Sequence, residues 1–442
     1  MEKKEMNVGI IGSGIGGACL AHGLRKNGIK VKVYERGSAT SSILPGYGIY
    51  VDTFGQQAMQ ECLPETNWLS FKKISKPVGG QTRFYDEHLH LLLAAQRDIY
   101  QEDGEIITED RMSISRSELL EVLNEGLSDT VQWNKTFERY EHMQSGKIRL
   151  FFTDKSHEDV DVLIGADGSN SKVRKQYLPA IKRLDIGVTL IVGRVRLTPA
   201  LAASLPQYLL DGSPNNIVPK SPGGLFVSLW RAPINTQVKA TSTEIGDFVM
   251  WAYAAATNSY PNAITDFPAK SLCDLIRSHI ASWDPNLHTL IKQSDMENIS
   301  VIPLRSMKHL LPWHSSAVTL LGDAIHNMTP MVGMGANIAL RDALLLTQAL
   351  TRVASGHENL VKAISDYEQQ MRTYANEAVE ISLRAALNAA DRSMIKRILF
   401  RTVLRVAQAL PPIKRMLFPI TKSAQHQGKI KLGTTHSFSS TQ

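Results

Sequence analysis

Gly12-Ser-Gly14-Ile15-Gly16-Gly17 and Glu35 are residues whose types and spacing could hold a ligand near the start of this 442-residue chain. Each glycine has a separate physical task. Gly12 permits a tight turn out of a strand, Gly14 lets the backbone approach a pyrophosphate, and Gly17 lets the following helix pack closely on that strand. A helix opening at Ile15 aims unpaired N–H groups and its positive dipole end at the phosphates. Glu35 lies 18 residues past Gly17, at the end of the next apolar run, where a carboxylate accepts from ribose hydroxyls. An acid there, followed by Arg36 and no separate basic cluster, favours an unphosphorylated ribose, as in FAD or NAD. The turn alone does not separate those two.

Two later segments repeat the theme of a buried strand running into a glycine-and-acid turn. Val162-Leu-Ile-Gly165-Ala-Asp167-Gly168 continues into a basic helix start ending at Arg174. Leu320-Leu-Gly322-Asp323-Ala-Ile-His326 continues through Pro330-Met-Val-Gly333-Met-Gly335-Ala336-Asn337 into a helix. Asp323 can hold a ribitol or ribose hydroxyl. Gly333 and Gly335 permit close approach of backbone to a planar ring. A helix starting near Ala336 would aim N–H groups at that ring and stabilise negative charge developing on it. His326 has no evident base partner and reads as structural, and Met331 and Met334 read as flexible packing. Cys19, Cys62 and Cys273 are far apart and odd in number, which suggests a reducing compartment and packing roles. No Ser-His-Asp set, metal-ligand cluster or carboxylate pair is evident, so no catalytic acid or base is named.

The elements that must position these turns follow from periodicity. Residues 8–37 read as strand, helix, strand. Ser115 fits an N-cap with Glu118 three residues on, opening a helix with Leu119, Leu120, Leu123 and Leu127. Thr82–Tyr85 and Leu89–Leu93 read as a hairpin. Gly187–Leu197, Gly224–Arg231 and Phe248–Ala256 read as an antiparallel sheet. Helices are expected over 269–282, 337–354 and 360–392. The fold class is thus α/β: a Rossmann-like nucleotide domain with an interleaved antiparallel-sheet domain and C-terminal helices. Boundaries follow at 1–73, 99–182 and 305–355 for the nucleotide domain, 74–98 and 183–304 for the sheet domain, 356–420 for the helical region, and 421–442 for a disordered tail.

Hydrophobic residues make up 43% and charged residues 21% of the chain, as in an ordinary soluble protein. Ten Lys and Arg and no acid fall in 392–442, leaving 39 basic against 42 acidic residues elsewhere. The positive balance therefore belongs to the tail, which argues against a nucleic-acid-binding body. Residues 393–410 form an amphipathic helix. Met394, Ile395, Ile398, Leu399, Val403, Val406 and Leu410 build one side, and Arg397, Arg401 and Arg405 share the other. Docking across the two domains is preferred, with peripheral membrane contact as the rival. No secretory signal or membrane span is read at the N-terminus, and a cytoplasmic location is expected.

Gly12–Gly17 with Glu35, Asp167-Gly168, and Gly322-Asp323, in this order, resemble the class A flavin-dependent monooxygenases over about residues 6–375. That is the fold of para-hydroxybenzoate hydroxylase and of tetracycline-inactivating monooxygenases. The resemblance implies that FAD is bound, with Glu35 and Arg36 on adenosine, Arg116 near the pyrophosphate or flavin chain, and Asp323 on the ribitol. Pro330, Gly333 and the segment Gly335, Ala336, Asn337 would face the flavin. Asp167-Gly168 would serve FAD and transient NAD(P)H contact, and Gly46 and Gly48 would match a loop beside a mobile flavin. The implied reaction uses NAD(P)H and O2 to hydroxylate an aromatic or polycyclic small molecule through a flavin C4a-hydroperoxide, with an antibiotic as one substrate class. The implied substrate space lies between sheet and flavin, with Arg194, Arg196, Phe226, Trp230 and Tyr253 as candidates. The alternatives are an FAD-dependent isoprenoid-lipid reductase and a ligand-sequestering flavoprotein.

Overall fold

A computed structural model describes residues 6–38, 48–78, 81–96, 99–102, 105–108, 111–231, 246–417 and 421–422. Gly46 and most of the 421–442 tail lie outside them.

Short apolar runs built around Val, Ile and Leu form a parallel sheet, because strands covered on both faces need apolar side chains on both. Its order is Val131–Gln132, Lys30–Tyr34, Asn7–Ile11, Val162–Gly165, Val318–Leu320. Every adjacent pair is parallel. Ile11 is registered against both Tyr34 and Gly165, and Gly165 against Leu320. The carboxyl ends of four strands therefore sit side by side, and each runs into one of the segments read above. Helix Ile15–Lys26 packs on this sheet, and helix Gly335–Ala354 packs on Ile15–Lys26. The helix Arg116–Asn124 opens with the expected capping box between Ser115 and Glu118.

A seven-stranded sheet forms the second layer, in the order Ser300–Ser306, Leu184–Arg196, Phe248–Ala256, Gly224–Trp230, Asn215–Ile217, Gln81–Tyr85, Leu91–Gln96. Alternation gives it two apolar faces. Its outer face, with Trp251, Tyr253, Leu225 and Val227, packs under helices Ala269–His279 and Pro285–Lys292. Its inner face, with Val188, Leu190, Val192 and Ala254, packs on Ala386 and Ala390 of the long helix Leu360–Ala390 and on Met331.

Several elements had no place in the sequence reading, among them Ser300–Ser306, His157–Val160 and Pro285–Lys292. Pro303 breaks the strand signal of the first, and the strand accordingly lies at the sheet edge, where a missing N–H is tolerated. The terminal helix Met394–Ala409 docks on the hairpin of the second sheet. It does so through the opposite side from the one its apolar residues suggest: Arg397 and Arg401 are buried, while Ile395, Leu399 and Val406 are exposed.

Candidate active site

The three turns meet at the carboxyl edge of the parallel sheet, the place where open α/β sheets bind ligands. Gly12 has φ +106°, and a Cβ there would lie 2.4 Å from the Ala166 carbonyl oxygen, so only glycine lets the first two turns touch. A Cβ on Gly17 would lie 2.1 Å from the Gly12 carbonyl oxygen, which binds helix to turn. Gly14 differs: nothing lies within 4 Å of its Cβ direction. It is also the N-cap of Ile15–Lys26 and offers no side-chain cap, leaving first-turn N–H groups open to an anion. Glu35 closes this mouth, accepting from the Ser13 N–H and the Gly37 N–H, each at 2.8 Å.

Asp167 is anchored on one side only. Its Oδ2 accepts from the Lys172 N–H at 2.7 Å and the Val173 N–H at 3.3 Å, capping the helix Lys172–Tyr177. Its Oδ1 is buried with no partner among the described residues. Burial raises this carboxyl above its ordinary value, against the hydrogen bonds from Ser171 and the two amides. Arg174 ties this turn to the third. It is buried, and it donates to the Ala324 carbonyl at 2.6 Å and the Ser169 carbonyl at 3.0 Å.

The Gly322-Asp323 turn rests on a buried network. Asp342 accepts from the Gly322 N–H at 2.7 Å, pairs with His326 Nε2 at 2.6 Å, and takes the Tyr374 hydroxyl at 2.5 Å. His326 thus has the partner that the sequence did not reveal, and its role is structural. Burial alone pushes its imidazole down, but the Asp342 charge and hydrogen bond outweigh that and hold it above its ordinary value. Asp323 itself is exposed at the mouth.

Beyond it, Pro330–Val332 turns into Gly333 at φ +67°, and the helix Gly335–Ala354 begins with no side-chain cap. Adding a Cβ at Gly333 or Gly335 would meet nothing closer than 3.9 Å. Ala336 is half-buried. The Asn337 side chain is already committed: it donates to the Tyr50 carbonyl at 2.8 Å and accepts from the Asp52 N–H at 3.0 Å. Arg36 and Arg116 are exposed. Arg116 follows Ser115, which is registered against Gly48. The close neighbour that Gly48 admits is the Trp230 indole, 2.0 Å from a Cβ placed there.

Tyr50 joins this edge to the second sheet. Its ring lies 3.9 Å from a Cβ at Gly333, 4.6 Å from the Trp230 ring between centroids, and its hydroxyl is 2.7 Å from Ser228 Oγ. Phe226, Ser228 and Trp230 therefore face the turns. Register across the sheet puts Arg194 beside Met250 and Ser228, on the same inner face. Trp230 is buried and its Nε1–H has no acceptor among the described residues. Two candidates are not in this space. Tyr253 points into the outer core, 5.8 Å from His279 and 6.3 Å from Trp283 between ring centroids, because odd and even residues of its strand face opposite ways. Arg196 shares the Arg194 face but is exposed at the strand end.

Tyr50, Arg174 and Asp342 went unnamed in the sequence as site residues. Asp342 carried a signal, being an acid amid the apolar positions Ile338, Ala339, Ala343 and Leu346 of one helix.

These features define a flavin-type dinucleotide site. FAD fits the residues present: an uncapped helix N-terminus at Gly14, open backbone at Gly14, Gly168, Gly333 and Gly335, and an orphaned buried acceptor on Asp167. Known proteins agree. The FAD binding domain family matches residues 277–382, and the NAD(P)-binding Rossmann-like domain matches residues 10–44. A solved structure from Photorhabdus luminescens, assigned as an FAD-containing monooxygenase, is 66% identical, with TM-score 0.80, over 87% of this chain and 99% of that one. The Klebsiella pneumoniae protein HpxO, solved with FAD and uric acid, shares the fold at 22% identity and TM-score 0.71, over 94% and 96% of the two chains. The dual O-methyltransferase/FAD-dependent monooxygenase CTB3 of Cercospora beticola is 29% identical over 83% of this chain. The chain spans 44% of that curated relative's length. The chain belongs to the FAD-dependent monooxygenases.

Proposed function

We propose that this chain hydroxylates a planar aromatic or polycyclic small molecule, using NAD(P)H and O2 with FAD held at the carboxyl edge of the parallel sheet. The observation that carries this reading is the Tyr50–Trp230 pair, which runs from the Gly333 turn to the inner face of the second sheet. Glu35 and Arg36 would hold the adenosine end, the helix N-terminus at Gly14 the pyrophosphate, and Asp323 a ribitol hydroxyl, with Arg116 near the flavin chain. The N–H groups of Gly335, Ala336 and Asn337 would face the flavin ring and favour the negative charge that reduction places there.

FAD, when bound, supplies the hydride acceptance and oxygen activation that no side chain here provides. The protein's task is position and dryness. Phe226 and the Trp230 ring offer flat apolar surface to a flat substrate, and the free Trp230 Nε1–H offers one donor to orient it. Arg194 adds a half-buried positive charge on the same face, suited to an anionic or electron-rich oxygen on the substrate. No protein acid or base is needed for the oxygen transfer itself.

Purified enzyme presented with a panel of aromatic and polycyclic compounds tests the reading. A true substrate accelerates NADPH oxidation and oxygen uptake together and yields a product heavier by one oxygen. Reduction of a lipid without oxygen uptake, or saturable ligand binding without turnover, would refute it.

A further inference from the structure

The terminal helix Met394–Ala409 is folded inside out. At most docked amphipathic helices the apolar stripe faces the protein and the charges face water. Here two arginines face the protein. Arg397 is 4% exposed and donates to the carbonyls of Pro219 at 3.0 Å, Asp391 at 3.2 Å and Ala389 at 3.3 Å, and also to that of Gly223. Arg401 is 3% exposed and pairs with Asp86 at 3.3 Å and with Glu87. Leu404 and Ala407 complete the inner stripe on Leu92, Leu93 and Ala95 of the hairpin.

The outer stripe is apolar and open. Ile395, Leu399, Val406 and Leu410 fall on one side at helical spacing, with Ile395 81% and Leu399 62% exposed, and Met416 continues the patch on the next helix at 72%. Lys396 and Arg405 flank the stripe on its two edges, half-neutralised by Asp391 and Asp86 at 3.4 Å each, and Lys414 and Arg415 follow it. Exposed apolar residues of this size in one run mark an interaction surface.

Charge selects the occupant. Residues 392–442 carry ten Lys and Arg and no acid, eight of them besides the inward-facing Arg397 and Arg401, while the remainder of the chain is slightly acidic. A second copy of the same face would bring like charges against each other along both edges. A layer of anionic headgroups meets the same lysines and arginines with opposite charge and offers acyl chains to the stripe between them. No helix among the described residues is long and apolar enough to cross a membrane, so contact would be peripheral. We propose that the outer face of residues 394–416 is a docking surface for an anionic lipid bilayer, held in orientation by Arg397 and Arg401.

Co-sedimentation of the full FAD-loaded chain with phosphatidylcholine vesicles, with and without phosphatidylglycerol, tests this. The wild type should pellet with the anionic vesicles and less so as salt rises. Replacing Ile395, Leu399 and Val406 together by Gln should lower that partition at least about tenfold. Flavin absorbance and melting temperature should stay unchanged, since these side chains contact little protein. A second variant, Lys396→Gln with Lys414→Gln, should weaken binding and flatten its salt dependence. Two outcomes overturn the proposal: wild type remaining in the supernatant with both vesicle types, or a concentration-dependent dimer that the triple variant dissolves. Neither bears on the oxygenase reading, which rests on turnover in solution.

Discussion

The carboxyl edge of the parallel sheet and the inner face of the antiparallel sheet meet at Tyr50, but on the proposed reading they would recognise ligands by different means. At the first, backbone does the work. Gly12 and Gly17 bring turn and helix into contact, Gly14 and Gly333 leave backbone bare, and uncapped helix starts supply N–H groups. At the second, side chains would do the work: Phe226, Trp230 and Arg194 stand on a regular strand framework that any apolar alternation would build. A cofactor common to many enzymes can be read by backbone geometry, which leaves glycines at fixed spacing. A particular substrate has to be read by side chains, whose choice obeys no fixed spacing.

The contrast is sharpest where a buried side chain supports the backbone edge. Asp342→Ala should have the largest effect of any single substitution in the two regions, about 3–5 kcal/mol of stability, because it strands buried His326, the Gly322 N–H and the Tyr374 hydroxyl at once. Chemical denaturation at pH 6 and pH 9 measures it. His326 has a raised value in the folded protein, so its contribution is fully present below the ordinary value of 6.5 and fades as pH rises through the raised one. The variant should lose that alkaline limb. If it loses neither stability nor pH dependence, the Gly322 turn does not depend on this network.

Two glycines of the first turn separate structure from recognition. Gly12→Ala forces a Cβ into the Ala166 carbonyl at positive φ and should cost about 1–3 kcal/mol of stability with loss of flavin. Gly14→Ala meets no protein atom and has an ordinary φ of −73°, so stability should change by less than about 0.5 kcal/mol. Its FAD dissociation constant should nevertheless rise about tenfold, roughly 1.4 kcal/mol. Melting curves of apoprotein beside flavin titrations check both. Equal behaviour of the two variants would erase the distinction between structural and ligand-reading glycines within that turn.

What was legible in the sequence follows the same division. The three turns, the parallel strands that feed them and the Ser115 capping box were readable because each depends on local chemistry at fixed spacing. Tyr253 was misplaced because strand alternation shows which residues share a face, not which face meets the cofactor edge. His326 lacked a partner on paper because Asp342 lies 16 residues away on another element. The terminal helix was read as amphipathic correctly, but its orientation depends on Asp86, Glu87 and the carbonyls of Pro219 and Gly223, which only the tertiary fold brings together.

Trp230→Phe asks the finest question of the side-chain face. Phenylalanine keeps an aromatic surface for the Tyr50 contact and removes a buried donor that has no acceptor among the described residues. Since that donor has no partner among the described residues, its loss should leave the resting fold nearly as stable as before. A substrate oxygen that accepts from Nε1 would lose one hydrogen bond, about 1 kcal/mol, and KM should rise about fivefold with kcat little changed. Substrates lacking an acceptor should show no penalty, and the ratio between the two groups isolates the indole N–H from the shape of the ring. A uniform change across both would mean that Trp230 serves the pocket by packing alone, and the side-chain face would then read its ligand through Arg194 and contour instead.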